Sequence, residues 1–197
     1  MPTERQNYHH GDLRSALLEA ALATVETDGV EALSFRQLAR IANVSPGAPY
    51  HHFRDKGELL AVLAKRGFEA LHRELQRSSS AGADPVNALH RLVHAYLKFA
   101  RSSPKLYGLL FMPEVARPEN LDLIEPDAMA CFEHLQSALT AVDPTAESHT
   151  THERALAVWG LLHGLVSLLI GSPLTRRLST QADADLAERS AMKLALE

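Results

Sequence analysis

A single cysteine, Cys131, is all that this chain of 197 residues has. An internal disulfide and a cysteine-only zinc site are therefore excluded, and a reducing, cytoplasmic setting is the default. The N-terminal MPTERQNYHHGDLR has no apolar core of the kind a secretory signal needs, and no targeting sequence is evident. Residues 155–170 form the most apolar run, but they are short for a bilayer and are interrupted by Gly160, His163 and Gly164. A buried helix is expected there, and no membrane partner. No stretch alternates apolar and polar residues in the manner of a strand, and no internal repeat is present, so the fold class expected is all-α.

What is present is ordinary soluble composition, 46% hydrophobic and 22% charged. Charge is unevenly placed. The formal net charge is −4, yet residues 34–77 hold eight Lys and Arg against four Asp and Glu. This local excess suits a small footprint on phosphates, and it equally suits a basic, solvated helix face.

The stretch SFRQLARIANVSPGAPYHHFRDK, residues 34–56, reads as a helix-turn-helix. Ser34 and Gln37 form a capping box, and Phe35, Leu38, Ala39 and Ala42 make one inward stripe, turning Arg36, Gln37 and Arg40 outward. Asn43 suits a left-handed helix end, with Val44 filling the corner. Ser45 and Pro46 predict the start of a second helix with room for about two turns before Phe53, and Asp55 with Glu58 caps a longer one. A two-turn helix is not stable alone in water, so packing by Phe35, Val44 and Phe53 must hold it.

Around this stretch the chain reads as further helices. Leu13, Leu17, Ala21 and Val25 stripe a first helix ending at Asp28-Gly29, and Leu60, Leu63, Ala64, Gly67, Leu71 and Leu75 stripe a long fourth one over about 56–77. The small, flexible segment 78–84 marks a domain boundary, giving an N-terminal domain over 1–56, a connecting fourth helix, and a C-terminal domain over 78–197. Asp84-Pro85, Ser103-Pro104 and Asp143-Pro144 each predict a helix start, and another helix is expected between Glu125-Pro126 and Val142, with Met129, Phe132, Leu135 and Leu139 on one side. The apolar helix is placed at about 151–170, capped by Thr150 and Glu153 and ending near Gly171-Ser172-Pro173, and an amphipathic segment runs over 183–197.

Residues 13–60 resemble the DNA-binding domain of the TetR (tetracycline-repressor-like) family of bacterial transcription regulators. The residues that carry it are the run from Ser34 to Leu60, with its Ala-x-x-Ala helix, Val-Ser-x-Gly turn, Tyr-x-His-Phe segment and following Lys56. AVWGLLHGLVSLL and YHHGDLR are similar to a subgroup with a Trp, His and Gly signature in its C-terminal domain, here Trp159, His163 and Gly164. The resemblance implies a homodimer binding palindromic double-stranded operator DNA, with the C-terminal domain serving dimerisation and taking a small-molecule effector that relieves binding. No cofactor is implied. By position, Arg36 would pair with a phosphate and Gln37 would reach a phosphate or base edge. Ser45, Gly47 and Ala48 would bring backbone close to the duplex, Ala48 meeting a thymine methyl, while Tyr50, His51 and His52 face the DNA and Lys56 clamps a phosphate. Pro49 departs from the family's usual Leu or Ile and predicts a distorted start to the recognition helix.

Tyr96, Phe99, Tyr107, Phe111, Met112, Met129, Phe132 and Trp159 are candidates to line an effector pocket, and equally to be plain core. His163 either satisfies a buried hydrogen bond near Trp159 or orients an effector. Gly160 and Gly164 mark either a dimer seam or tight packing within the subunit. Eleven histidines invite a metal site. The strongest grouping, His149 and His152 with Glu153, lacks the partners a site needs, so no metal is expected. A small His-rich metal-binding protein or enzyme is the alternative function, for which the sequence offers neither a nucleophile with its base nor a ligand set.

Overall fold

The computed structural model describes residues 10–78, 84–170 and 181–196, and every regular element among them is helical. In chain order these are α1 (His10–Asp28), a 3₁₀ turn (Val30–Ala32), α2 (Phe35–Ile41), a second 3₁₀ turn (Ala48–His51), α3 (Lys56–Ser78), α4 (Pro85–Ser102), α5 (Pro104–Leu110), α6 (Pro118–Val142), α7 (Ser148–Ile170) and α8 (Gln181–Leu196). The expected segment at 78–84 and the helix end at Gly171-Ser172-Pro173 fall largely or wholly outside the described residues, as does the start of YHHGDLR.

The long helix α3 is the spine. It packs against α1, α4, α5 and above all α6, which is why its buried set, from Leu59 through Leu63, Phe68 and Leu71 to Leu75, is broader than one stripe. Gly67 lets α5 lie close. A Cβ there would meet Leu110 Cδ2 at 2.5 Å and Leu106 Cδ1 at 3.3 Å. Beside it, Cys131 is buried with its thiol donating to the Phe68 carbonyl at 3.5 Å, and burial pushes that thiol up to about 12. It is a core residue, not a reactive one.

Several helix ends form as their sequences predict. The Gln37 N–H donates to Ser34 Oγ at 3.3 Å, and Asn87 N–H donates to Asp84 Oδ2 at 3.0 Å. Each such cap contributes about 1 kcal/mol. Gly29 closes α1 at φ +90°, and Asn43 takes φ +53° after α2.

Other expectations need correction. Helix α6 begins at Pro118, not after Pro126, which sits inside it. Pro126 is exposed, so the carbonyl one turn back that loses its N–H partner can be left to water. Asp143-Pro144 starts no helix. Asp143 Oδ1 instead accepts from Thr145 N–H and Oγ1 at 3.1 and 2.7 Å, a local turn, and α7 begins at Ser148, which leaves Thr150 inside the helix rather than capping it. The buried stripe of α6 runs through Ile124, Cys131, Phe132, Leu135 and Leu139, and Met129 falls outside it, 43% exposed.

Helix α7 is long and apolar enough to cross a membrane by length and composition. It was expected buried, yet only one stripe is, comprising Thr151, Ala155, Val158, Leu162 and Val166. Leu156, Gly160, Gly164 and Leu168, spaced four apart, lie exposed on the other side.

Candidate nucleic-acid interface and ligand groove

The candidate DNA-reading residues lie together on α2, the turn after it, the second 3₁₀ turn and the start of α3. Asn43 lets the chain reverse, and the Val44 N–H reaches back to the Ala39 carbonyl at 2.9 Å. The element that follows is not the two-turn α-helix begun by Ser45 and Pro46. Ser45 and Pro46 belong to a turn closed by Ala48 N–H on the Ser45 carbonyl at 3.0 Å, and regular structure begins only at Ala48, as one 3₁₀ turn. Pro49 explains this. It lacks the N–H that would extend an α-helix, and its ring is buried as the plug of the turn. His52 and Phe53 N–H groups both close onto its carbonyl at 3.0 Å.

Phe53 and Phe35 anchor the turn from beneath, with ring centroids 6.4 Å apart, and Arg14 lies over the Phe53 ring at 5.1 Å. Tyr50 stands edge-on to Phe35 at 4.8 Å while remaining 62% exposed, so its ring is fixed and its hydroxyl outward. Arg36, Ser45, Gly47 and His51 are exposed as well, Gln37, Ala48 and His52 partly so. Asp55 Oδ1 accepts from Glu58 N–H at 2.8 Å, and Glu58 Oε2 accepts from Arg54 N–H at 2.8 Å, a capping box that fixes the start of α3. The Glu58 N–H, with Arg54 beside it, holds the Asp55 carboxyl below the usual carboxylate range. The ammonium of Lys56 donates to the Val30 carbonyl at 2.9 Å, which presents it at the edge of the head.

Much of the basic excess of 34–77 is neutralised away from the head. Arg66 pairs with Glu19 at 2.6 Å, Lys65 with Glu69 and Asp127, and Arg77 with Glu74. Around the turn, exposed Arg36, Arg40, Arg54 and Lys56 remain, of which, among the described residues, only Arg54 pairs with a carboxylate, that of Asp55. Arg40 and Arg54 belong to this rim although the sequence singled out neither as a contact.

A second site lies in the C-terminal half. Helices α5 and α7 flank a largely apolar groove of about 1060 Å³. Of the nine pocket candidates, His163 included, Tyr107, Phe111 and His163 line it. Tyr96, Phe99 and Phe132 are buried core, Trp159 is partly buried and packs on Tyr96 at 5.4 Å and on Phe132 at 5.9 Å, Met112 is partly buried against the core, and Met129 lies on the surface of α6. The polar feature of the groove is a chain of three groups. Tyr96 and Tyr107 hydroxyls are 2.7 Å apart, and the Tyr107 hydroxyl is 2.9 Å from His163 Nδ1. His163 is thus partnered by Tyr107, and it also faces the groove. Burial lowers its pKa and raises those of both tyrosines, so all three are neutral near pH 7. Sequence reasoning missed Lys105 at the rim and Leu161, Leu165, Leu168 and Ile170 on the wall. The available signal was that α7 is apolar around more of its circumference than one core contact needs.

No described atom lies within 4 Å of a Cβ built on Gly160 or Gly164, so these glycines serve no close packing among the described residues. His149 lies 3.5 Å from Glu153, and among the described residues no three His, Cys, Asp or Glu side chains are arranged to hold a metal.

Comparison with known proteins agrees with this two-part geometry. The family model described as the tetracyclin repressor-like C-terminal domain matches residues 89–193, and that of bacterial regulatory proteins of the tetR family matches residues 17–63. The chain belongs to the TetR family. It is similar to the HTH-type transcriptional regulator BetI of Rhizobium meliloti, 26% identical over 74% of this chain and 73% of that one. It is also similar to the transcriptional repressor KstR of Mycolicibacterium smegmatis, 31% identical over 47% and 46%. Among solved structures, a protein from Rhodococcus sp. RHA1 superposes with a TM-score of 0.72 at 32% identity, covering 94% of this chain and 98% of that one. The TetR-family regulator PfmR of Thermus thermophilus shares the fold at a TM-score of 0.65 and 22% identity, over 91% and 96%. The chain is thus a helix-turn-helix regulator and not an enzyme.

Proposed function

We propose that the chain is a ligand-responsive repressor, cytoplasmic and dimeric, which binds a palindromic operator through its two reading heads and is released by a small molecule in the groove between α5 and α7. In this reading residues 1–56 form the DNA-binding domain, 78–197 the effector-binding and dimerisation domain, and α3 joins them. The observation that carries it is that one spine helix begins at the cationic rim of the head and packs directly on α5, which walls the groove.

Arg36 and Lys56 take phosphates, Gln37 a phosphate or base edge, Ser45 and Gly47 give close backbone approach, and Ala48, Tyr50, His51 and His52 face the duplex. Pro49 leaves a single 3₁₀ turn to enter the major groove of the DNA, so base reading rests on few side chains. Dimerisation is supported by the leftover apolar face: Leu156 and Leu168 on α7, with Leu186 and Leu196 on α8, are exposed, and the two helices pack on one another. The bare glycines would let a partner helix approach closely and roof one side of the groove.

Selection of bound fragments from random duplex DNA tests the reading. The expected result is an inverted repeat with half-sites about 34 Å apart, or a multiple of that, bound by two chains. Enrichment of no sequence, or of a single undivided half-site, would refute it.

A further inference from the structure

The groove's hydrogen-bonding direction can be worked out. Among the described residues, the Tyr96 hydroxyl meets only that of Tyr107, and Tyr96 is 1% exposed. Its hydrogen therefore has one acceptor, the Tyr107 oxygen. Tyr107 must then give its own hydrogen to His163 Nδ1. Any other order leaves a buried hydroxyl hydrogen without an acceptor, which is the costly outcome. With Nδ1 accepting, His163 carries its proton on Nε2 and offers a donor, not an acceptor, to whatever fills the groove. Burial lowers the pKa of this imidazole, which agrees with a neutral ring.

The second polar group at the groove is Lys105, a cation on the first turn of α5. The rest of the described wall is mostly apolar, Pro104, Phe111, Leu161, Leu165, Leu168 and Ile170 with three glycines, and its hydroxyls are that of Ser167 and that of Tyr107, the latter already engaged with His163. Among the described residues, the His163 Nε2–H and the Lys105 ammonium stand in a mostly apolar channel whose lining includes no carboxylate. Such a lining disfavours cations and suits an acceptor-bearing, anionic head on an apolar body.

We propose that the effector is an apolar carboxylic acid, bound with its carboxylate toward His163 Nε2–H and Lys105 and its hydrocarbon along α7. This rests on the reading of the groove as the effector site. It also names a route to the reading head. Lys105 donates to the carbonyl of Thr27, in the last turn of α1. A carboxylate in the groove competes for the same ammonium and loosens α5 from α1.

Decanoate, methyl decanoate and decylamine share one apolar body and serve as probes in calorimetric titration of the full chain. Decanoate is expected to bind and decylamine not to. Replacing the exposed Lys105 leaves the core intact, so Lys105→Met should lower the ratio of ester to acid Kd about five-fold, the upper range for an exposed ion pair, and Lys105→Arg should retain it. Decylamine binding as tightly as decanoate, or an unchanged ratio in Lys105→Met, overturns the assignment. DNA binding measured alongside keeps the two readings apart. Carboxylate selectivity in a chain that binds no DNA supports this assignment and removes the repressor reading. Operator release by decylamine but not by decanoate overturns this assignment and leaves the repressor reading standing.

Discussion

Removing the Tyr107 hydroxyl should destabilise the protein, and removing the Tyr96 hydroxyl as well should restore part of what was lost. The reason is the order of the relay from Tyr96 through Tyr107 to His163. Tyr107→Phe keeps the ring contacts with Tyr96 and Phe111 but strands the Tyr96 hydroxyl in the core without a partner. A stranded buried hydroxyl costs about 1–3 kcal/mol. Tyr96→Phe alone costs about 0.5–1.5 kcal/mol, because Tyr107 still donates to His163. The double variant has no stranded hydroxyl, and its one unpaired atom, His163 Nδ1, belongs to a half-buried side chain at the groove. It should sit about 1 kcal/mol above Tyr107→Phe instead of below it, a coupling within the range contacting residues show. Urea unfolding at pH 7.5 reads the four free energies directly, and melting temperatures should follow at roughly 2–4 °C per kcal/mol for a chain of this size. Additive losses, or a double variant less stable than either single one, would refute the proton order and with it the donor character of His163.

Other consequences can be checked independently. Lys56→Ala should weaken binding to all DNA sequences and reduce the slope of log affinity against log salt by about 0.9 in a mobility-shift titration, whereas Ala48 or His51 substitutions should change sequence preference. An unchanged slope would show that Lys56 touches no phosphate. Stability should fall as pH drops below about 6.5, because burial lowers the folded-state pKa of both His163 and His134 while the unfolded chain still takes up protons. His134→Gln should flatten that decline when unfolding is followed between pH 7.5 and 5. Leu156→Glu, on the bare face of α7, should leave helicity unchanged and turn a dimer into a monomer in sedimentation, with loss of operator affinity.

The sequence made the local structure legible wherever a side chain acts on its own neighbourhood. Ser34, Asn43, Asp55 with Glu58, and Asp84 do in the structure what their chemistry predicts at those positions. It misled where the outcome depends on what lies across from a residue. Asp143-Pro144 has the form of a helix start, but its carboxylate finds Thr145 first. Pro126 looks like a boundary, but one exposed carbonyl without a partner costs too little to end a helix already packed against α3. The groove was legible only in part for the same reason. Tyr107, Phe111 and His163 are distinguished by size and polarity, whereas Lys105 becomes notable only once α5 is laid between α1 and α7.

In the proposed reading, that placement would be the physical route by which occupancy of the groove reaches the DNA. The head's first segment is held to the body by three cations reaching from α3 and α5: Lys56 on the Val30 carbonyl, Arg66 on Glu19, and Lys105 on the Thr27 carbonyl. Two of these come from α3 and move with it. The third comes from α5, whose Leu106 and Leu110 press on Gly67 with no room for a methyl group. A ligand that displaces α5 therefore cannot leave α3 untouched, and one that recruits Lys105 also frees the end of α1. Both changes act on the same small head, whose recognition turn is one 3₁₀ turn, held by Phe35, Phe53 and the buried Pro49. A turn that short has little internal stability, so its orientation follows the helices beneath it. On that reading a shift at its base would be transmitted to Tyr50 and His51, not absorbed, and an operator spacing fixed at about 34 Å would register it as lost affinity.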